Sequence, residues 1–107
     1  MRARGSKEVS VREFLRRLDL KKHTDITLAF GYYLEHYAGV SQFTSGDINN
    51  CYYEAKIERS NTSQMLIHNI RLGRVMEAKT NDKEGKRFTL TATGEQYVES
   101  KFNQAAE

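Results

Sequence analysis

Residues 60–74, SNTSQMLIHNIRLGR, decide how the rest of the chain is read, because they describe a short helix marked at both ends and divided into two faces. Ser60 and Asn61 are good N-cap residues, and Gly73 falls where a left-handed C-terminal cap sits, which leaves roughly three turns between them. At about 100° per residue, Leu66 and Ile70 point one way with Met65 and Ile67 on their shoulders. Gln64, His68 and Arg71, spaced i, i+4, i+7, point the other way. One face asks for a core and the other for a polar partner. Gln and Arg form paired hydrogen bonds to purine edges in a major groove, and Arg also reaches phosphates. Every solvated amphipathic helix has a polar face, so the neighbouring segments must decide what this one does.

Upstream, residues 43–56 open with Thr44 and Asp47 in N-cap and N3 positions, and Phe43 and Ile48 fall at N′ and N4 as a hydrophobic staple. Ile48, Cys51, Tyr52 and Ala55 give this helix an inward face. Residues 57–60 connect it to the opening stretch, and two helices joined by a short turn make a helix-turn-helix arrangement. Downstream of Gly73 the period changes. Met76, Ala78 and Thr80 alternate with Val75, Glu77 and Lys79, then NDKEG at 81–85 makes a polar turn, and Arg87 to Thr91 alternate again. Residues 75–91 therefore read as a β-hairpin with a charged tip. Thr93 and Gly94 start a last helix with Tyr97, Val98 and Phe102 as its apolar seam.

The N-terminal third adds two helices. Ser10 and Glu13 have capping-box spacing ahead of Val11, Phe14, Leu15 and Leu18, which predicts an amphipathic helix over about 11–20 with Arg12, Arg16, Arg17 and Lys21 on its polar side. Thr24 or Asp25 should cap the next helix. Its apolar positions Ile26, Ala29, Phe30, Tyr33, Leu34 and Tyr37 keep helical spacing until Gly39 ends it.

At 107 residues the chain is one domain's worth, with 38% hydrophobic and 29% charged residues, so it belongs to the globular class rather than the disordered one. The net charge of +3 is unevenly spread. Residues 1–24 carry +5, 25–58 carry −4, 59–90 carry +4 and the remainder −2, so the second basic block holds the opening helix and the hairpin. The single cysteine, Cys51, allows no intrachain disulfide and suits a reducing compartment. No apolar run has the length of a membrane span, and residues 1–7 lack the apolar core of a signal peptide, which together predict a cytoplasmic protein.

The stretches MLIHNIRLGRVM at 65–76 and RFTLTATGEQYV at 87–98 resemble the winged helix-turn-helix superfamily, in particular its small prokaryotic and phage transcription regulators. The resemblance covers roughly residues 25–100 and rests on the order and spacing of the motifs. It implies an α+β, mostly α fold: a three-helix helix-turn-helix core with a two-stranded β-wing, and extra N-terminal and C-terminal helices. Residues 1–23 would form a basic arm and amphipathic helix, and 24–107 the winged-helix domain. The resemblance further implies that the helix at 60–73 lies in the major groove of double-stranded DNA and that the wing at 75–91 meets the backbone or minor groove. Asn61, Thr62, Ser63, Gln64, His68 and Arg71 then become base or phosphate contacts, and Arg74, Lys79, Lys83, Lys86 and Arg87 wing contacts. Asp82 and Glu84 depart from a purely basic wing tip. A homodimer through the first helix, the last helix or both is expected, since these offer the spare apolar surface. Bound to DNA, such a protein is associated with the nucleoid.

Enzymatic chemistry is not expected. His23, His36 and His68 lie far apart and none has metal-ligand spacing with Cys51 or a carboxylate, so neither a metal nor another cofactor is assigned. Cys51 reads as a small core residue. Tyr32, Tyr33, Tyr37, Tyr52 and Tyr53 sit on two helices that should pack together, and are expected as core and boundary residues with their hydroxyls at the surface rather than as a small-ligand pocket. The other reading of the whole chain is a winged-helix module that binds protein without nucleic acid, because a fold alone does not choose its partner.

Overall fold

The capping boxes foreseen at Ser10 and Thr44 both form, and they start two of the five helices of the computed structural model, which describes residues 9–78 and 85–106. In chain order the elements are α1 (Val11–Arg16), α2 (His23–His36), α3 (Ser45–Ala55), α4 (Thr62–Arg71), β1 (Val75–Ala78), β2 (Arg87–Leu90) and α5 (Ala92–Ala106). The architecture is mostly helical with one small antiparallel sheet, an α+β arrangement.

Local chemistry explains most boundaries. At Thr44 the side chain accepts from the Asp47 N–H while the Asp47 carboxylate accepts from the Thr44 N–H, both at 3.0 Å. The staple residues Phe43 and Ile48 are completely buried. Lys56 ends α3 in the left-handed region (φ 61°). Asn61 caps α4 by accepting from the Gln64 N–H. Gly73 (φ 76°) turns the chain out of α4, with the Gly73 N–H on the Ile70 carbonyl and the Arg74 N–H on that of Asn69, the bond pair of a Schellman cap.

Three boundaries differ from expectation. α1 stops at Arg16 instead of running to about Leu20, because Asp19 takes a positive φ of 48° and reverses the chain; Leu18 is nevertheless buried. α2 starts at His23 with Lys22 as its N-cap and no side-chain bond there, so neither Thr24 nor Asp25 is the cap. Asp25 is instead a buried first-turn acid with tertiary partners. α5 begins at Ala92, earlier than Thr93, because Thr91 is the residue that caps it: its hydroxyl accepts from the Gly94 N–H at 3.0 Å.

The hairpin pairs Val75 with Leu90, Met76 with Thr89, Glu77 with Phe88 and Ala78 with Arg87. The turn predicted at 81–85 lies mostly outside the described residues. β2 also has a neighbour on its other edge, where Phe43 and Phe88 exchange backbone hydrogen bonds of 2.9 and 2.8 Å. That bridge ties the entrance of α3 to the sheet. Gly31, in the middle of α2, leaves room for it: a Cβ there would press on the Phe43 ring and on Leu90.

One core gathers all these elements. Val11, Phe14 and Leu18 from the first segment are buried with Phe30, Tyr52, Leu66, Leu90 and Val98. Phe14 is stacked against or edged by the rings of Tyr32, Tyr33, Tyr37 and Phe102. The apolar face of the first helix, expected to pack against the domain or a second subunit, is covered within its own chain. The tyrosines divide. Tyr53 is exposed and Tyr37 half-exposed, but Tyr52 is buried, hydroxyl included, against the expectation that all the hydroxyls reach the surface. Its oxygen shares hydrogen bonds with His23 Nδ1 at 2.9 Å and Thr27 Oγ1 at 3.3 Å.

Candidate nucleic-acid interface

Helix α4 turns Thr62, Leu66 and Asn69 into the core, so its buried line runs i, i+4, i+7 and is rotated by roughly 50° from the line predicted through Leu66 and Ile70. Two residues change role in consequence. Thr62, expected as a DNA contact, is buried and donates to the Asn49 side-chain oxygen of α3 at 2.6 Å; it fastens the two helices and meets no partner from outside. Asn69 is fully buried, and its carboxamide nitrogen donates to the carbonyls of Thr24 (3.1 Å) and Met65 (2.9 Å), which holds α4 against the start of α2. Periodicity gives no sign of this role for Asn69, because a polar residue among apolar ones looks like an interruption rather than an anchor.

The outward face then consists of Ser63, Gln64, Ile67, His68 and Arg71, all exposed. Asn61, also exposed, has its side-chain oxygen engaged as the cap. Two shallow hollows flank the helix. One, about 340 Å³, is lined by Thr24, Gln64, Met65, Ile67, His68 and Arg71. The other, about 310 Å³, lies between α4 and the hairpin and is lined by Ser45, Ser63, Leu66, Ile67, Ile70, Glu77, Lys86 and Phe88. A third, at the entrance to the helix, brings Arg59 beside Asn61 and Ser63. Gln64, His68 and Arg71 are therefore brought together, and Lys86 of the hairpin is brought to the same helix on the side of Ser63. Among the described residues, the side chains of Gln64, His68, Arg71 and Lys86 make no hydrogen bond or ion pair.

The expected wing contacts do not all join this face. Arg74 is turned inward: its guanidinium lies 3.7 Å above the centre of the Tyr97 ring and 3.6 Å from the Asp25 carboxylate, with its side chain one-fifth exposed. Asp25 also accepts a 3.0 Å hydrogen bond from the Tyr97 hydroxyl. Arg74 packs at the foot of β1 against α2 and α5, its charge engaged by Asp25 rather than presented beside Gln64, His68 and Arg71. Arg87 is half-buried and engaged within the chain. Lys79 and Lys83 lie outside the described residues.

Other chemistry gathers elsewhere. His36, which shows no ligand spacing with a carboxylate in sequence, meets two of them in space: it bonds Glu95 at 2.8 Å, and Glu35, His36 and Glu95 present donor atoms within 4.8 Å of one another. Glu35 is already engaged, accepting from the Thr89 hydroxyl and the Leu90 N–H at 2.8 Å each, and so fastens α2 to β2. Cys51 is buried, and burial pushes its thiol up to about 12, which keeps it protonated at neutral pH. No helix among the described residues is long and apolar enough to cross a membrane.

Comparisons with protein-family models, curated proteins and solved structures found no match to the chain.

Proposed function

We propose that this chain is a winged-helix protein that binds double-stranded DNA and acts as a transcriptional regulator, with α4 as the recognition helix in the major groove and the β1–β2 hairpin as the wing. The observation that carries the reading is the outward face of α4. Gln64, His68 and Arg71 project from one helix side with no described partner in the chain, next to Lys86 of the hairpin. Side chains of this kind fit base edges and phosphates, and the arginine and lysine supply an affinity that falls with salt. Its place of action would be the cytoplasm, on the nucleoid.

The test is fluorescence anisotropy with labelled duplex at two or more salt concentrations. Wild-type affinity should fall steeply with salt. The pair Arg71→Ala and Lys86→Ala should weaken binding at low salt by tenfold or more and reduce the slope of log K against log salt by about 1–2, near 0.9 for each phosphate no longer neutralised. Binding insensitive to salt and to both substitutions sinks the proposal.

A second reading, a winged-helix surface for another protein, draws on the exposure of Ile67, Leu72 and Met76 on or just after the same helix. It predicts no duplex affinity at any salt concentration, so the same titration separates the two readings.

A further inference from the structure

Ile67 is the exposed large aliphatic residue of α4, with 49% of its surface open to solvent. It belongs to both hollows beside the helix and so forms the ridge between them, with Gln64, His68 and Arg71 on one side and Ser63, Glu77 and Lys86 on the other. An isoleucine contributes little to a helix at an exposed position, since its β-branch lowers helix propensity and its apolar surface gains nothing from water. Its setting says what would cover it. The ridge stands among Arg71, Lys86, His68 and Gln64, with Glu77 as the one acid among the described residues lining either hollow and Leu66, Ile70 and Phe88 as further apolar lining on the hairpin side, so an occupant that is anionic and carries an apolar group fits it. The major groove of DNA has that character wherever a thymine places its C5-methyl group, the apolar feature by which that base is recognised.

The spacing agrees. Gln64 and Arg71 are seven residues apart, about 10.5 Å along the helix axis at 1.5 Å per residue, or roughly three base steps of 3.4 Å. Ile67 falls between them on the same face. Resting on the DNA-binding reading of α4, we propose that Ile67 reads the methyl group of a thymine lying between the base pairs met by Gln64 and Arg71, and is thereby a specificity-determining residue of the site.

The experiment starts from a duplex selected from a random pool with the wild-type protein. Each thymidine of that duplex is replaced in turn by deoxyuridine, which pairs identically and lacks only the methyl group. At one position per bound protein the replacement should weaken wild-type binding about fourfold, the worth of one buried methyl group. Ile67→Ala, at an exposed position and checked for an unchanged circular dichroism spectrum and melting temperature, should bind the thymidine and deoxyuridine duplexes equally. Salt-dependent duplex binding with no deoxyuridine effect, or a deoxyuridine effect that Ile67→Ala retains, overturns this inference and leaves the DNA-binding reading standing. No duplex binding at all overturns both.

Discussion

Arg74 illustrates how a single residue's role turns on its partners and not on its charge. In sequence it is an isolated arginine after Gly73 at the foot of the hairpin, but in space its guanidinium lies over the Tyr97 ring and beside the Asp25 carboxylate. Arg74→Ala should therefore cost about 1–2 kcal/mol of stability, from removal of the ring stacking and the ion pair and of the packing of its stem. It should leave duplex affinity within about twofold of wild type, as expected for a residue that makes no phosphate contact. Chemical denaturation and anisotropy on the same sample check the two halves, and a large affinity loss with unchanged stability would contradict the assignment. Thr62 and Asn69 teach the same lesson. A threonine at the start of a helix and an asparagine within it are ordinary surface residues by type, and only the approach of Asn49 and of the Thr24 carbonyl makes them internal fasteners.

At the scale of elements, what local chemistry controls was legible. The boxes at Ser10 and Thr44, the cap at Asn61, the left-handed Gly73 and the hairpin strands all depend on residues within a few positions of each other. The starts of α2 and α5 differ from expectation for different reasons: the candidate cap of α2 acts at a distance, whereas the cap of α5 is local, the Thr91 hydroxyl on the Gly94 N–H, and also makes a tertiary bond. Asp25 looks like a cap in sequence but is claimed by Tyr97 and Arg74, and Thr91 caps α5 while its hydroxyl donates to the Gly73 carbonyl at 2.6 Å. Gly94 belongs to that joint, because a Cβ on it would collide with the Arg74 carbonyl oxygen. Gly94→Ala should therefore destabilise by about 1–3 kcal/mol even though alanine is the better helix former. Gly46→Ala, in α3 where an added Cβ meets only Thr44 Oγ1 at 3.5 Å, should stabilise by up to about 1 kcal/mol. Thermal melts of the two variants check the contrast, and equal shifts in the same direction would refute it.

For the whole molecule, the buried phenols and thiol set the alkaline limit of stability. Burial first, then the hydrogen bond to Glu99, raises Tyr32 from 10.0 to about 12; burial raises Cys51 from 9.0 to about 12 and raises Tyr52 as well. Between the ordinary and raised values the unfolded chain gives up these protons while the folded chain keeps them, so the folded state binds more protons and stability falls as pH rises. The contribution is complete below about pH 9 and is lost progressively from there to about pH 12. Urea unfolding at pH 8 and pH 10.5 should show a lower midpoint at the higher pH with a similar slope, and identical midpoints would refute the assignment. That all the elements share one core was only partly legible. Periodicity shows that a helix has an apolar face but not what covers it, so the face of α1 looks spare in sequence and is filled by Phe14 among four aromatic rings of its own chain. The candidate site was legible to the same degree. The polar line Gln64, His68 and Arg71 follows from helical spacing, whereas the burial of Thr62 and the exposure of Ile67 depend on a rotation of roughly 50° in which side α4 presents to the core, and the inward turn of Arg74 depends on its distant partners Asp25 and Tyr97.

The joint of Gly73, Arg74, Thr91 and Gly94 also bears on how such a protein can diversify. It clasps the chain where the hairpin leaves the helices and where it returns, through the Thr91 N–H on the Arg74 carbonyl at 3.0 Å and the Thr91 hydroxyl on that of Gly73. A segment pinned at its root can be lengthened at small entropic expense, about 0.6 kcal/mol for each doubling of loop length. Because the clasp is made by Gly73, Arg74, Thr91 and Gly94, a change of sequence between β1 and β2 should leave the register of β1 with β2 and the pose of α4 intact.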